Sequence, residues 1–275
     1  LLASVGTGVP VIPTNHNVLA EDYENPRRWS ANPYDRELRF DMLRHAAAIH
    51  VLFAEFAEWL PPELRARTVV IPNYVTKSVL RHQPERTRDN VILGVGRLSE
   101  VKNYRVLLNA WARLAPKHPD WKVVVYGEGE RRSRLLARSR ELGVEDTFIL
   151  AGRHADLGAE YSRAAIFCHP AAFEGFGLAP AEALALKMPV VAFADCAGVN
   201  QFVSDGLNGI LVDRNGGDEA MAAALERLIT DPDLRRRLGE AGPASVADYP
   251  EERFADAWVE LIERTVGARD RPAGG

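Results

Sequence analysis

Two stretches of this chain place glycine beside charge in a way that suits a bound anion. The first runs Phe173-Glu174-Gly175-Phe176-Gly177-Leu178-Ala179-Pro180-Ala181-Glu182. Its glycines let the backbone approach a ligand closely. Pro180 fits the first turn of a helix, where a missing N–H costs nothing. The open N–H groups of a helix start, together with its dipole, attract negative charge. Glu174 falls in the loop and Glu182 about one turn into the helix. Carboxylates accept hydrogen bonds from paired hydroxyls, as a sugar or a ribose presents. Read by itself, Glu182 equally suits stabilisation of the helix dipole. The second stretch is Gly94-Val95-Gly96-Arg97-Leu98-Ser99-Glu100-Val101-Lys102-Asn103. A forked guanidinium at Arg97 and a point charge at Lys102 together suit a diphosphate. Either cation alone is an ordinary solvated charge; two anion sites on one edge let a single diphosphate bridge them. A dinucleotide fingerprint needs glycine at 99, and Ser99 stands there, which weakens a redox-cofactor reading.

Both stretches follow an apolar run and open a helix. Short apolar runs at 91–95, 121–126, 147–151, 164–169, 189–194 and 209–212 read as strands. Helical spacing or helix signals fall at 103–114, 131–142, 155–163, 178–186 and 217–229, then at 234–241 and 250–266. Uniformly apolar strands alternating with amphipathic helices predict an α/β fold with a buried parallel sheet. Ligands of such sheets bind at the carboxyl ends of the strands, where both stretches lie. Residues 1–72 are thinner: 9–13, 48–53 and 69–71 read as strands, with a polar, aromatic stretch at 23–34. Three short strands do not make an independent core. They suit a remnant of a second Rossmann-like domain. Residues 71–75 read as a hinge, and 267–275 as a disordered tail.

Composition is that of a globular protein: 275 residues, 47% hydrophobic and 26% charged. Net charge is -4, from 34 basic and 38 acidic residues, which gives no pull toward nucleic acid. Cys168 and Cys196 read as buried reduced thiols, fitting a reducing cytosol. The apolar runs fall short of the roughly 18 residues of a membrane-spanning helix, and the N-terminus lacks a signal-peptide pattern. The opening Leu1-Leu2 reads as the start of a piece of a longer protein. The seven histidines show no metal spacing. Asp231-Pro232-Asp233 reads as a helix cap, so no metal is expected.

From about residue 73 to residue 266 the chain resembles the C-terminal half of the retaining glycosyltransferases of the two-Rossmann, GT-B fold, the family-4, group 1 type. The two stretches above carry the resemblance. Gly127-Glu128-Gly129, Ala151-Gly152-Arg153, Pro189-Val190-Val191-Ala192 and Asn208-Gly209 follow in the same order and spacing. The resemblance implies a donor domain at 73–248 and an acceptor-side remnant at 1–72. It also implies a final helix at 249–266 that crosses back to the first domain; a plain terminal helix on the donor domain is the alternative.

The resemblance further implies roles. Arg97 and Lys102 would hold the donor diphosphate, Glu182 the ribose and Glu174 the hydroxyls of the donor sugar. Gly96, Gly175 and the backbone of Phe176, Gly177 and Leu178 would contact sugar and phosphate. Gly152, Arg153 and His154 would lie beside the base, and His16 on the sugar and acceptor side. The expected co-substrate is a nucleotide sugar, UDP-linked on family frequency. The expected acceptor is a saccharide or lipid-linked sugar, as in cell-surface polysaccharide or glycolipid biosynthesis, and 192–200 leans toward members of that kind. Expected placement is cytoplasmic, with peripheral membrane association through the first domain. Tyr74 departs from the family, whose hinge often has glycine there. An inactive nucleotide-sugar-binding module and a GT-B glycosyl phosphorylase are the competing expectations.

Overall fold

The computed structural model of the protein describes residues 7–19 and 34–267. Most of the stretch at 23–34, and nearly all of the expected tail, lie outside the described residues. The chain divides into two compact units, one of residues 1–74 with 249–275 and one of residues 75–248.

The larger unit is built on six parallel strands. In chain order they are β4 (Asp89–Val95), β5 (Lys122–Tyr126), β6 (Phe148–Gly152), β7 (Ala164–His169), β8 (Val190–Phe193) and β9 (Gly209–Val212). Their spatial order is β6-β5-β4-β7-β8-β9. Every neighbouring pair is parallel. The inner strands read as unbroken apolar runs because both faces are covered, whereas the edge strand β6 leaves Ile149 and Ala151 exposed. All six residues of β7 are buried. Ile92 joins the core formed with Val123, Val125, Trp111 and Leu225, while the equally buried Leu93 points to the opposite face. Trp111 is fully buried and donates from Nε1 to Thr147 Oγ1 at 3.0 Å. Cys168 and Cys196 are free and buried.

The helices follow their hydrophobic spacing with small shifts at the ends. Asp156 caps Leu157–Arg163 by accepting from Ala159 N. Gly143, at φ +66°, closes Arg132–Glu141. Asp231 accepts from Leu234 N at 2.8 Å, so the Asp-Pro-Asp sequence is a cap. The helix it opens differs from the expected 234–241: it runs over Pro232–Val246 and through Pro243. Gly239 and Gly242 explain the persistence. They let the helix lie against the backbone of Lys187 and Leu184, where a Cβ would collide.

The smaller unit carries three parallel strands, β1 (Thr14–Asn15), β2 (Ile49–Val51) and β3 (Thr68–Val70), in the order β1-β2-β3. The strand expected at 9–13 is not one. Pro10 and Pro13 have no N–H to give, so the bonds of this run to residues 47–50 are ones in which it accepts: Val11 O from Ala47 N at 2.9 Å and Pro13 O from His50 N at 3.0 Å. The helix Glu251–Gly267 belongs to this unit. Its Phe254, Trp258 and Leu261 pack on Ile12, Ala48, Val69 and Ile71. Tyr74 lies against Phe254, with ring centroids 4.8 Å apart.

Candidate functional site

The sheet order reverses direction between β4 and β7, and in such folds a ligand binds at that switch point beyond the carboxyl ends of the strands. The two glycine-and-charge stretches are the loops leaving β4 and β7. Ala172 N donates to Val101 O at 2.8 Å and ties one loop to the other. A third loop, leaving β5, braces the first. Leu98 N donates to Glu128 O, and Arg131 N to Leu98 O, each at 2.9 Å. Gly127 has to be glycine here, because a Cβ would run into the Gly96 carbonyl.

This bracing brings Lys102 Nζ into an ion pair with Glu174 Oε1. Both side chains are largely buried, 23% and 16% exposed. Burial pulls the Lys102 ammonium down to about 8, while the Cys196 sulfur nearby acts in the opposite sense. The same carboxylate oxygen of Glu174 lies 3.1 Å from His169 Nε2. His169 ends β7 and is buried. Burial first, and the Lys102 charge second, hold its imidazole well below the usual range, so it is neutral.

After Glu174 the helix Leu178–Ala185 begins. Gly177 precedes it at φ +82°, a conformation that L side chains rarely adopt, and no side chain caps the start. Open N–H groups and the positive end of the dipole therefore meet at Leu178 and Ala179. No acidic residue stands in the first turn, so Glu182 is not a dipole partner. It is instead buried at 9% exposure and accepts from Thr76 Oγ1 at 2.7 Å. Burial raises its carboxyl, and the hydrogen bond from Thr76 works against that rise.

The other expected residues lie further out. Arg97 is 75% exposed, with Nη2 3.4 Å from Glu130 Oε2. Such a surface pair contributes only about 0–1 kcal/mol and is easily exchanged. Gly152 ends β6, and Arg153 and His154 follow it, exposed. The His154 ring sits 5.2 Å from that of Tyr126, and its Nδ1 accepts from Asp156 N at 3.2 Å. His16 belongs to the smaller unit, where it is exposed and lies 5.6 Å, edge-on, from the ring of His50.

Sequence reading missed His169, Thr76 and the pair Asp195–Arg214. Arg214 binds both carboxylate oxygens of Asp195, at 2.6 and 2.5 Å, and donates to Ala172 O at 2.6 Å. It thereby fixes the loop two residues before Glu174. His169 had a signal, since it ends the strand immediately before the motif. Thr76 had none, its partner being 106 residues away.

A family model described as glycosyl transferases group 1 matches residues 77–245, more than half of the chain. The chain belongs to this family of glycosyltransferases. An uncharacterized glycosyltransferase of Haemophilus influenzae is 33% identical over 177 residues, 64% of this chain and 50% of that protein. A lipopolysaccharide core biosynthesis glycosyltransferase of Rhizobium meliloti, LpsE, is 32% identical over 173 residues, 62% of this chain and 49% of that protein. Among solved structures, S. aureus TarM in complex with Fondaparinux, alpha-GlcNAc-glycerol and UDP superposes with a TM-score of 0.78 at 18% identity. That match covers 92% of this chain and 50% of TarM, and it shows the shared GT-B fold. This glycosyltransferase chain thus spans about half the length of the relatives it matches.

Proposed function

We propose that this glycosyltransferase chain binds a nucleoside diphosphate sugar, UDP-linked, at the carboxyl ends of β4 and β7 and transfers the sugar with retention of anomeric configuration. The observation that carries this reading is the pairing of Lys102 with Glu174 beside an uncapped helix start at Gly177. A diphosphate offers Lys102 and Arg97 a stronger partner than a single carboxylate. It also meets the backbone N–H groups of the helix start at Gly177 and Leu178, with Gly96, Gly175 and Phe176 placed for close backbone approach. Glu182, buried and ordered by Thr76, takes the ribose hydroxyls. Glu174, released by Lys102, takes hydroxyls of the sugar. Gly152, Arg153 and His154 lie beside the base. His16 is assigned to the sugar and acceptor by family resemblance.

Breaking the bond from the anomeric carbon to the phosphate oxygen builds positive charge on the sugar and negative charge on the diphosphate. Lys102, Arg97 and the helix-start N–H groups stabilise the second charge where it develops. The acceptor hydroxyl attacks the face that the diphosphate leaves, and the leaving phosphate oxygen takes its proton. This reading asks for no resident metal.

The role of LpsE in lipopolysaccharide core biosynthesis supports a bacterial surface saccharide or lipid-linked sugar as acceptor, and the UDP in the TarM complex supports the donor. No helix among the described residues is long and apolar enough to cross a membrane. A cytoplasmic enzyme meeting the membrane peripherally fits the proposed acceptors. The test is turnover with a panel of UDP-sugars and saccharide acceptors, with and without a metal chelator, and with product configuration read by NMR. The α-linked product from an α-linked donor, unaffected by chelator, is expected. An inverted product would overturn the mechanism. Turnover that uses inorganic phosphate without nucleotide would make the chain a phosphorylase.

A further inference from the structure

Two groups lie against Glu174, and the diphosphate of the proposed function would compete for one of them. Lys102 pairs with Oε1, and His169 Nε2 lies 3.1 Å from the same oxygen. His169 is 1% exposed, and its ring stacks on that of Phe167 at 16° with centroids 6.3 Å apart. The imidazole is therefore fixed in place and facing the ion pair. Its Nε2 has no aligned hydrogen-bond partner. A buried polar atom held so close to a carboxylate, yet off the hydrogen-bond line, is uncommon and calls for a reason.

Donor binding supplies one. Once Lys102 turns to the diphosphate, Glu174 would be a largely buried carboxylate without its cation, which is strongly unfavourable. A neutral imidazole carries one N–H, and the neighbouring carboxylate selects the Nε2–H tautomer. A small rotation of Glu174 aligns that N–H with Oε1. The second oxygen is then free to face the sugar. We propose that His169 is the positioning residue for the donor sugar: its Nε2–H takes over Glu174 from Lys102 and aims the carboxylate at the sugar hydroxyls. The inference rests on the donor-site reading above.

The first test is side-chain NMR of the 275-residue chain labelled with 15N-histidine, titrated with whichever of UDP, GDP, TDP or ADP it binds. His169 is expected to stay neutral with the proton on Nε2, and its Hε2 resonance is expected to move downfield on nucleotide addition. The second test compares His169→Leu and His169→Gln by calorimetry. The ligands are the bare nucleotide and whichever of its glucose, galactose and N-acetylglucosamine conjugates the wild type binds most tightly. His169→Leu should keep the nucleotide affinity, which also reports intact folding, and lose about tenfold in affinity for the sugar conjugate. His169→Gln, which keeps a donor, should restore most of that loss. A proton on Nδ1, an unmoved resonance, or equal loss for nucleotide and sugar conjugate overturns this inference while leaving the donor site standing. Failure of the wild type to bind any of the four nucleotides overturns both.

Discussion

The inner and outer parts of the proposed donor site use the same residue types under different physics. Inside, Lys102, Glu174, Glu182 and His169 are buried or nearly so, and each has a designated neighbour. Outside, Arg97, Arg153 and His154 stand in solvent. Burial makes the inner charges depend on one another, because losing one leaves its partner uncompensated. Water screens the outer charges, so each acts alone. Substituting an inner charge should therefore damage folding and binding together, and substituting an outer one binding alone.

The largest effect is expected from Lys102→Ala. It strands Glu174 in a poorly solvated position, and it should lower unfolding free energy by roughly 2–4 kcal/mol. Nucleoside diphosphate affinity should fall about a hundredfold as a charged hydrogen-bonding partner is lost. Denaturant unfolding and calorimetry on the same preparation check both. Retained stability would place Lys102 with the outer group.

Next comes Gly177→Ala. It puts a side chain at φ +82° and brings a Cβ to 3.1 Å from Pro180 and Val199. A loss of about 1–3 kcal/mol in stability is expected, with weaker nucleotide binding because the helix start shifts.

Thr76→Val sharpens the comparison through pH. Burial raises the Glu182 carboxyl, so ionised Glu182 costs stability as pH rises through its folded value, and Thr76 offsets that cost. Removing the hydroxyl should cost about 1–2 kcal/mol at pH 8 and clearly less near pH 4, where Glu182 is mostly protonated in both states. A pH-independent loss would show that Thr76 serves packing alone.

The Lys102 ammonium, pulled down to about 8 by burial, gives a second pH signature. Nucleotide affinity should weaken as pH rises past that value. Lys102→Arg should flatten the profile, because a guanidinium stays charged. The smallest effect belongs to Arg97→Ala: stability within about 0.5 kcal/mol of wild type and roughly tenfold weaker nucleotide binding that salt erodes further.

The six-stranded sheet was legible because its buried parallel strands print as unbroken apolar runs, each followed by a glycine or charged loop. The two loops of the site were legible for the same reason, since their glycines and charges sit at fixed distances after a strand. Legibility failed where a contact spans sequence. Thr76 and Glu182 are 106 residues apart, and nothing in either segment announces the other. It failed also at prolines. Residues 9–13 look extended, yet Pro10 and Pro13 lack the N–H groups that a strand ladder needs. Pro243 looks like a stop, yet packing through Gly239 and Gly242 carries the helix to Val246.

The central claim is that Arg97, Lys102 and Glu182 form one nucleoside diphosphate site. Calorimetric titration of the chain with UDP, GDP, TDP and ADP, without added metal, tests it most directly, alongside Arg97→Ala and Glu182→Ala. Selective binding of UDP, weakened in both variants while each stays folded, is the predicted result. Binding that persists unchanged in both variants, or no binding of any nucleotide by folded wild-type chain, would contradict it.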